Sequence, residues 1–264
     1  MSIPPSPATI TKELWDHVNR LIVGVTEYTG LTMEMRQVLK RIETLKNADP
    51  GQAFFLQAGV YQLTGDVDSM FEALRKARAL VGPVEYAIHS IPPLLNTGFY
   101  TLAQNEARVA SNPINGHFSA EINHAYVAGL FSTLSTYLDA ADKLKLSIDE
   151  CVRDKITQAN AIAQHYELSE ETIAGVLNEV GEVLRANRLI YFGEPSLTLW
   201  GFDKFEDVEP HISFDFQINR DVASIASLRD QLATRIATSD LGRYPDGVVV
   251  RFSAIHRARE LAAA

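Results

Sequence analysis

The spacing of hydrophobic residues divides the chain into a long helical part and a shorter part with strands. Residues 1–188 predict helix almost throughout, and residues 189–255 hold the only convincing strand patterns. The clearest helix follows Ser169, which can accept a hydrogen bond from the first turn and is followed by two glutamates. Its apolar residues recur at a helical spacing: Ile173, Val176, Leu177, Val180 and Leu184. This stripe predicts a helix that faces the core.

The strand patterns alternate instead. Every second residue over 212–218 is isoleucine or phenylalanine, and Val248, Val250 and Phe252 follow a turn signal. Residues 189–192 and 196–200 flank a Gly-Glu-Pro sequence and predict a hairpin. Asp221 begins a helix over 222–237 that would cover one face of the sheet. The fold class expected is mainly α with a small α+β C-terminal domain, in which a short antiparallel sheet is covered by one helix.

These patterns suggest four segments. Residues 1–14, rich in serine and proline, form a loose N-terminus, and residues 15–150 form a helical domain. Residues 151–188 are a helical connector, and residues 189–264 are the α+β domain.

The helical part also contains a faint repeat. Four similar frames begin at Gly30, Gly65, Gly98 and Ser132, at separations of 35, 33 and 34 residues. Residues 15–146 resemble the tetratricopeptide repeat, a pair of antiparallel helices about 34 residues long. The best match spans residues 51–83 and includes Phe54, Ala58, Tyr61, Gly65, Leu74, Ala77 and Pro83. A helical bundle without repeats is the alternative.

The next unit departs from the repeat pattern. Pro92 and Pro93 fall inside its expected first helix, where proline removes a backbone hydrogen bond. Ser90 would then cap a fresh helix, and the unit is either kinked or not a repeat.

The resemblance implies a groove, lined by the first helix of each pair, that holds a segment of a partner protein. On this hypothesis Phe54 is buried and Phe55 is exposed as an aromatic anchor. The residues expected to line the groove are Gln52, Phe55, Gln62, Glu85, Ile88, Ile122 and Tyr126. The leading expectation is therefore a non-enzymatic adaptor or scaffold.

A DNA-binding regulator is the second hypothesis. Residues 156–200 are similar to a winged helix-turn-helix, with Thr172, Arg185 and Arg188 as the residues that would contact DNA. The supposed reading helix carries four glutamates, which phosphates would repel. Nucleic acid is therefore the less favoured partner.

Net charge and cysteine content indicate the kind of partner and the cellular compartment. The net charge of −9 favours a neutral or basic partner over nucleic acid or an anionic membrane. The single cysteine, Cys151, and the absence of a signal sequence favour the cytoplasm. Self-association is expected to use the C-terminal sheet.

No catalytic or nucleotide-binding motif occurs in the sequence, so the expectation is a protein without enzymatic activity or cofactor. The third hypothesis is an enzyme or a metal-binding protein of unrecognised type. His117, Glu121 and His124 follow a helical spacing that places two imidazoles and a carboxylate on one face. The alternative is that the three residues lie on the solvent-exposed polar face of an amphipathic helix and bind no metal.

Overall fold

A computed structural model describes residues 7–22, 25–111, 119–191, 196–200 and 209–254 of the 264-residue chain. Within those ranges, the helices are α1 (Pro7–Ile22), α2 (Met33–Leu45), α3 (Pro50–Thr64), α4 (Val67–Arg78), α5 (Pro83–Asn96), α6 (Tyr100–Ala110), α7 (Ser119–Val127), α8 (Phe131–Lys143), α9 (Glu150–His165), α10 (Glu170–Ala186) and α11 (Val222–Thr238). The strands are β1 (Ser196–Trp200), β2 (His211–Ile218) and β3 (Val248–Ala254). The fold is mainly helical with a small α+β part, as predicted. Across the described ranges, every helix is too short or too polar to span a lipid bilayer.

Local sequence rules account for most of these elements. Ser169 caps α10 by accepting a hydrogen bond from the Thr172 amide at 3.0 Å, and Asp221 caps α11 through the Ser224 amide at 2.7 Å. The predicted stripe on α10 is buried throughout, and so are the four alternating apolar residues of β2. These predictions are confirmed. On α11 the stripe is buried from Ile225 onward, whereas Val222 is 75% exposed.

The sheet has the order β1-β2-β3, and it is mixed rather than antiparallel. β1 pairs with β2 in antiparallel fashion, with Leu197 opposite Phe214, and β2 pairs with β3 in parallel, with Phe214 opposite Val250. The prediction of a wholly antiparallel sheet is wrong because α11 carries the chain back across the sheet, as a parallel neighbour requires.

Residues 189–191, in the first strand of the predicted hairpin, pair with a different segment of the chain. Leu189 forms an antiparallel bridge with Glu27, and the Tyr28 amide donates to the Arg188 carbonyl at 2.8 Å. The segment that follows α1 therefore occupies the position that the sequence assigned to residues 196–200. Residues 192–195 lie outside the described ranges.

Two other expectations about the helical part are corrected. α1 begins at Pro7, so the N-terminus predicted to be loose over residues 1–14 is helical from residue 7. α5 is one helix that includes Pro92 and Pro93, so no fresh helix begins at Ser90. The Ser90 side chain is buried, and its hydroxyl donates to the Ala87 carbonyl at 3.2 Å. Burial of the surrounding apolar residues compensates the backbone hydrogen bonds that the prolines lack.

α3 lies between two hydrophobic cores. Its residues Leu56 and Val60 belong to a small core with α1 and α2, while Phe55 belongs to the main core. The main core continues through the later helices to Phe214 and Phe252 of the sheet. The small α+β part thus shares a core with the helical body, although the sequence patterns separate them near residue 188.

Candidate functional site

A concave site made of two cavities lies between α7, α9 and β1. An inner cavity of about 380 Å³ is lined by Ile122, Asn123, Tyr126, Ser147, Ile148, Asp149, Val152, Lys155 and Ile156. An outer cavity of about 700 Å³ is lined by Tyr126, Asp149, Glu150, Cys151, Asp154, Lys155, Gln158, Leu197, Thr198 and Leu199. Because they share Tyr126, Asp149 and Lys155, the two cavities adjoin. We refer to them together as the α9 cleft.

The start of α9 positions two walls of this cleft. The Asp149 carboxylate caps the helix and accepts hydrogen bonds from the Cys151 amide at 2.9 Å and the Val152 amide at 3.2 Å. Val152 and Ile156 are one turn apart and line the inner cavity. Asp154 and the other outer residues of α9 occupy the adjacent face, toward β1.

The end of α7 positions the third wall. The amide of Leu130 donates to the Ala125 carbonyl at 3.0 Å, and Gly129 adopts φ = 80°. A glycine in this left-handed conformation is a common helix terminator. Ile122 and Tyr126 lie one turn apart on the face that lines the inner cavity.

Tyr126 lines both cavities of the cleft. Its side chain is 9% exposed, and its ring packs edge-on against Phe131 with centroids 5.5 Å apart. Its hydroxyl is buried and forms no hydrogen bond with the residues that the structure describes. Burial, assisted by the nearby Cys151, raises the pKa of the Tyr126 hydroxyl, so the phenol stays neutral at physiological pH and keeps its proton to donate.

Replacing Tyr126 with phenylalanine is expected to raise the free energy of unfolding by about 1 kcal/mol, since an unsatisfied buried hydroxyl costs about 1 to 3 kcal/mol. Urea denaturation followed by circular dichroism measures the change. Tyr126→Ala, which also removes the ring, should instead lower stability by about 3 kcal/mol. A clear loss of stability in Tyr126→Phe would mean that the hydroxyl is already hydrogen-bonded in the free protein.

The rim of the outer cavity is acidic. Glu150 and Asp154 are exposed, and neither forms a hydrogen bond through its carboxylate or an ion pair with any described residue. Asp149 is also exposed, but its carboxylate is engaged in the helix cap. Lys155 is the only basic residue among the described residues that line the cavity. The rim therefore carries more negative than positive charge.

β1 is an edge strand among the described strands, and three of its residues line the outer cavity. It pairs only with β2 among the described strands, so its other edge has backbone groups without a strand partner. Leu197, Thr198 and Leu199 line the cavity along this strand, and Thr198 is exposed. An extended chain could add to such an edge.

The predicted groove residues fall into two groups. Ile122 and Tyr126 lie together in the α9 cleft, whereas Gln52 and Glu85 meet near α1. There the Gln52 amide donates to Glu85 at 3.1 Å and accepts a hydrogen bond from the Trp15 indole at 2.9 Å. Since Trp15 belongs to α1, the protein's own first helix contacts the groove face predicted on α3.

Four of the predicted groove residues are buried, namely Phe55, Gln62, Ile122 and Tyr126. Phe55 is 2% exposed and packs between Tyr86 and His89, with ring centroids 6.2 Å and 4.8 Å away. Gln62 is 3% exposed, and its side chain accepts a hydrogen bond from the Asn96 amide at 3.2 Å. Ile88 is half-buried. The prediction of an open groove at Phe55 and Gln62 is wrong, because α3 is packed on both sides.

The predicted DNA-contacting residues are held in other roles. Arg185 stacks on Phe99 at 4.1 Å, donates to the Thr97 carbonyl and pairs with Glu182 at 2.8 Å. Its side chain is only 15% exposed. The Thr172 amide belongs to the α10 cap, and Arg188 is exposed just beyond that helix.

α10 is also packed against α6 and α11, and the charged residues it exposes are Glu171 and Glu182. These contacts count against α10 as a DNA-reading helix, because such a helix needs an exposed basic face.

The metal hypothesis falls mostly outside the described part of the chain. His117 lies in the gap before α7, the side chain of Glu121 is likewise not described, and His124 lies on α7. Among the side chains that the structure does describe, no three histidine, cysteine, aspartate or glutamate residues come together as a metal site.

Sequence reasoning missed the α9 and β1 walls of the cleft. Ile148, Val152 and Ile156 recur every four residues, which is a signal for one apolar helix face. Nothing in that spacing indicates that the face meets Ile122 and Tyr126, because the two sets are brought together only by the fold. No known family model, curated protein or solved structure matches the chain.

Proposed function

We propose that this protein binds a segment of a partner protein in the α9 cleft. The observation that carries the proposal is that the cavity of about 380 Å³ adjoins a second cavity lined by three residues of the edge strand β1. A bound chain would place an apolar side chain against Val152 and Ile156. The inner cavity, at about 380 Å³, has the size of a pocket that takes one large side chain or a small ligand.

A peptide suits the outer cavity better than a small molecule does. The outer cavity is lined by residues 197–199 of β1, an edge strand that can offer backbone donors and acceptors at the spacing of an extended chain. Strand addition derives its affinity from such backbone bonds and its specificity from side-chain pockets. The combination of an edge and a pocket supports a peptide ligand.

In this proposal the protein is a non-enzymatic, cytoplasmic adaptor, and its helical body is a tetratricopeptide-like array. The short connections within the pairs α3–α4 and α5–α6 support the array, because helices joined by two or three residues pack side by side. The binding surface, however, is proposed at α9 and not along α3.

Filling the inner cavity is expected to weaken peptide binding. Val152→Phe places a larger side chain into the cavity, and the lost burial of an anchor, about 1.5 to 3 kcal/mol, corresponds to at least about a tenfold loss of affinity. Thr157→Phe is the matched control, since Thr157 is exposed on the same helix and does not line the cleft.

The measurement begins with phage display of random dodecapeptides on the wild-type protein. The affinities of the selected peptides are then compared by fluorescence anisotropy on both variants. Peptides that bind the wild type and Thr157→Phe but not Val152→Phe would support the proposal. Peptides that bind all three proteins equally, or a selection without enrichment, would contradict it.

A further inference from the structure

We propose that α1 is held in place by a pH-sensitive contact, which loosens when His89 is protonated. The contact joins three helices through Trp15 on α1, Gln52 on α3, and Glu85 and His89 on α5. We refer to these four side chains as the α1 contact. None of them lines the α9 cleft, so the α1 contact is independent of the proposed peptide site.

The ring of His89 lies between two aromatic rings. The Trp15 indole stacks on it with ring centroids 5.6 Å apart and an angle of 16° between the planes, and the Phe55 ring lies 4.8 Å away. Through this stack α1 contacts α5. His89 is half-buried, and its ring is therefore partly withdrawn from the water that would solvate a positive charge.

The hydrogen bonds fix the protonation state of His89. The Trp15 indole N–H can only donate, and it donates to Gln52 Oε1 at 2.9 Å. The amide nitrogen of Gln52 therefore faces the other way, where it donates to the Glu85 carboxylate at 3.1 Å and to His89 Nε2 at 3.3 Å. His89 Nε2 can accept this bond only when the ring is neutral and carries its proton on Nδ1.

Protonation of His89 disrupts this network at Gln52. A proton on Nε2 would face the Gln52 NH2 group, so that two donors would meet. Turning the amide over would let Oε1 accept from the imidazolium, but it would place the NH2 group against the Trp15 indole N–H and take the donor away from Glu85. Because either orientation loses a hydrogen bond, protonation is expected to loosen the docking of α1.

The charges around His89 oppose this effect only in part. Glu85 on its own helix and Asp49 at the start of α3 favour the positive ring, whereas α1 contributes the uncharged indole of Trp15. Burial outweighs the two carboxylates and lowers the pKa of His89 from its ordinary value of 6.5. The unfolded chain therefore takes up the proton at a higher pH than the folded one. The stabilisation is complete well above pH 6.5 and declines as the pH falls through 6.5 toward the lower pKa of the folded protein.

Hydrogen exchange followed by mass spectrometry tests this effect for single helices. The whole chain is labelled at pH 7.5 and at pH 5.5, and the rates are corrected for the intrinsic pH dependence of amide exchange. Protection of α1 is expected to fall about fivefold at pH 5.5, as the loss of one hydrogen bond implies. Protection of α10 should stay unchanged. An equal loss in α10 would mean that the whole fold is destabilised, and it would overturn the proposal.

His89→Phe removes the titrating group. This substitution keeps a ring between Trp15 and Phe55, and the protection of α1 should no longer change with pH. The matched control is His17→Gln on α1 itself, since His17 pairs with Glu34 of α2 at 2.8 Å, a contact that protonation strengthens. The fall in α1 protection should persist in His17→Gln. A fall in His89→Phe as large as in the wild type would contradict the assignment to His89.

Gln52→Glu tests the direction of the effect and does not depend on whether His89→Phe folds. A carboxylate at this position still accepts from the Trp15 indole and also accepts from a protonated His89, while it repels Glu85 as long as the imidazole is neutral. Protection of α1 in this variant should therefore rise between pH 7.5 and pH 5.5. A fall as large as in the wild type would overturn the role given to Gln52.

Discussion

Replacing Gly181 with alanine is expected to lower the free energy of unfolding by about 3 kcal/mol or more, because there is no room for a methyl group at this position. A Cβ atom on Gly181 would lie 2.0 Å from the carbonyl oxygen of Gly98 and 2.7 Å from its carbonyl carbon. Both atoms belong to the backbone, so no side-chain rotation relieves the overlap. α10 and the turn between α5 and α6 would have to separate.

The surrounding contacts resist that separation. Gly98 has φ = 77°, a conformation that glycine adopts readily and other residues do not. On one side of it, Arg185 donates to the Thr97 carbonyl, and on the other the Thr101 amide donates to Asn178 at 3.2 Å. These bonds hold the turn against α10, and a shift that accommodates alanine would weaken them as well.

Gly175→Ala provides the control on the same helix. The nearest atom to a Cβ at Gly175 is Leu241 Cδ2 at 3.5 Å, an ordinary contact. Alanine there should leave stability unchanged or raise it by up to about 1 kcal/mol through its higher helix propensity. Urea denaturation followed at 222 nm compares the two variants, and similar small effects in both would contradict the close packing of Gly98 on Gly181.

Replacing Phe55 with alanine is expected to lower the free energy of unfolding by about 3 to 5 kcal/mol, the usual range for a fully buried phenylalanine. Phe55 is 2% exposed, and its ring lies against Tyr86 and His89 of α5. The groove hypothesis predicts the opposite result. In that case the substitution weakens the binding of a partner protein and leaves the stability of the fold unchanged.

Phe54→Ala is the matched comparison, one residue away. Phe54 is half-buried, and its ring lies under the ammonium groups of Lys46 and Lys76, 4.8 Å and 5.7 Å from the ring centroid. The expected loss is about 1 to 2 kcal/mol from partial burial and the two cation–π contacts. Thermal and urea unfolding give both values. A larger loss for Phe54 than for Phe55 would restore the orientation of α3 predicted from the repeat pattern.

The sequence could not orient α3 because that helix has no polar side to guide the prediction. Its own buried residues occur on every side of the helix, and they divide between the two hydrophobic cores. The periodicity of hydrophobic residues identifies the buried side of a helix only when the other side is polar and exposed to solvent. α10 shows the contrast, since its glutamates define an exposed side and its apolar stripe was predicted correctly.

The candidate site was predicted only in part, for a related reason. Ile122 and Tyr126 were expected to contact a ligand and do line the cleft, but the reason given was a repeat groove shared with Phe55. The opposite wall comes from Val152 on α9, and the strand edge comes from residues 197–199. No local pattern links segments so far apart in the chain.

Arg185 illustrates the same limit for charge. As a basic residue at the end of a helix, it was a reasonable candidate for a phosphate contact. In the fold its guanidinium stacks on Phe99 and donates to the Thr97 carbonyl, so it holds α10 against the turn between α5 and α6. Its role depends on a neighbour more than eighty residues earlier in the chain.

By itself, the sequence determined the features that depend on near neighbours. These are the caps at Ser169 and Asp221, the stripe on α10, the alternation in β2 and the mainly helical class. The tertiary structure alone decided the mixed sheet, the burial of Phe55 and the meeting of α7, α9 and β1 around Tyr126. The physical reason is that caps and periodicity act within one or two turns, whereas pockets form where distant segments pack together.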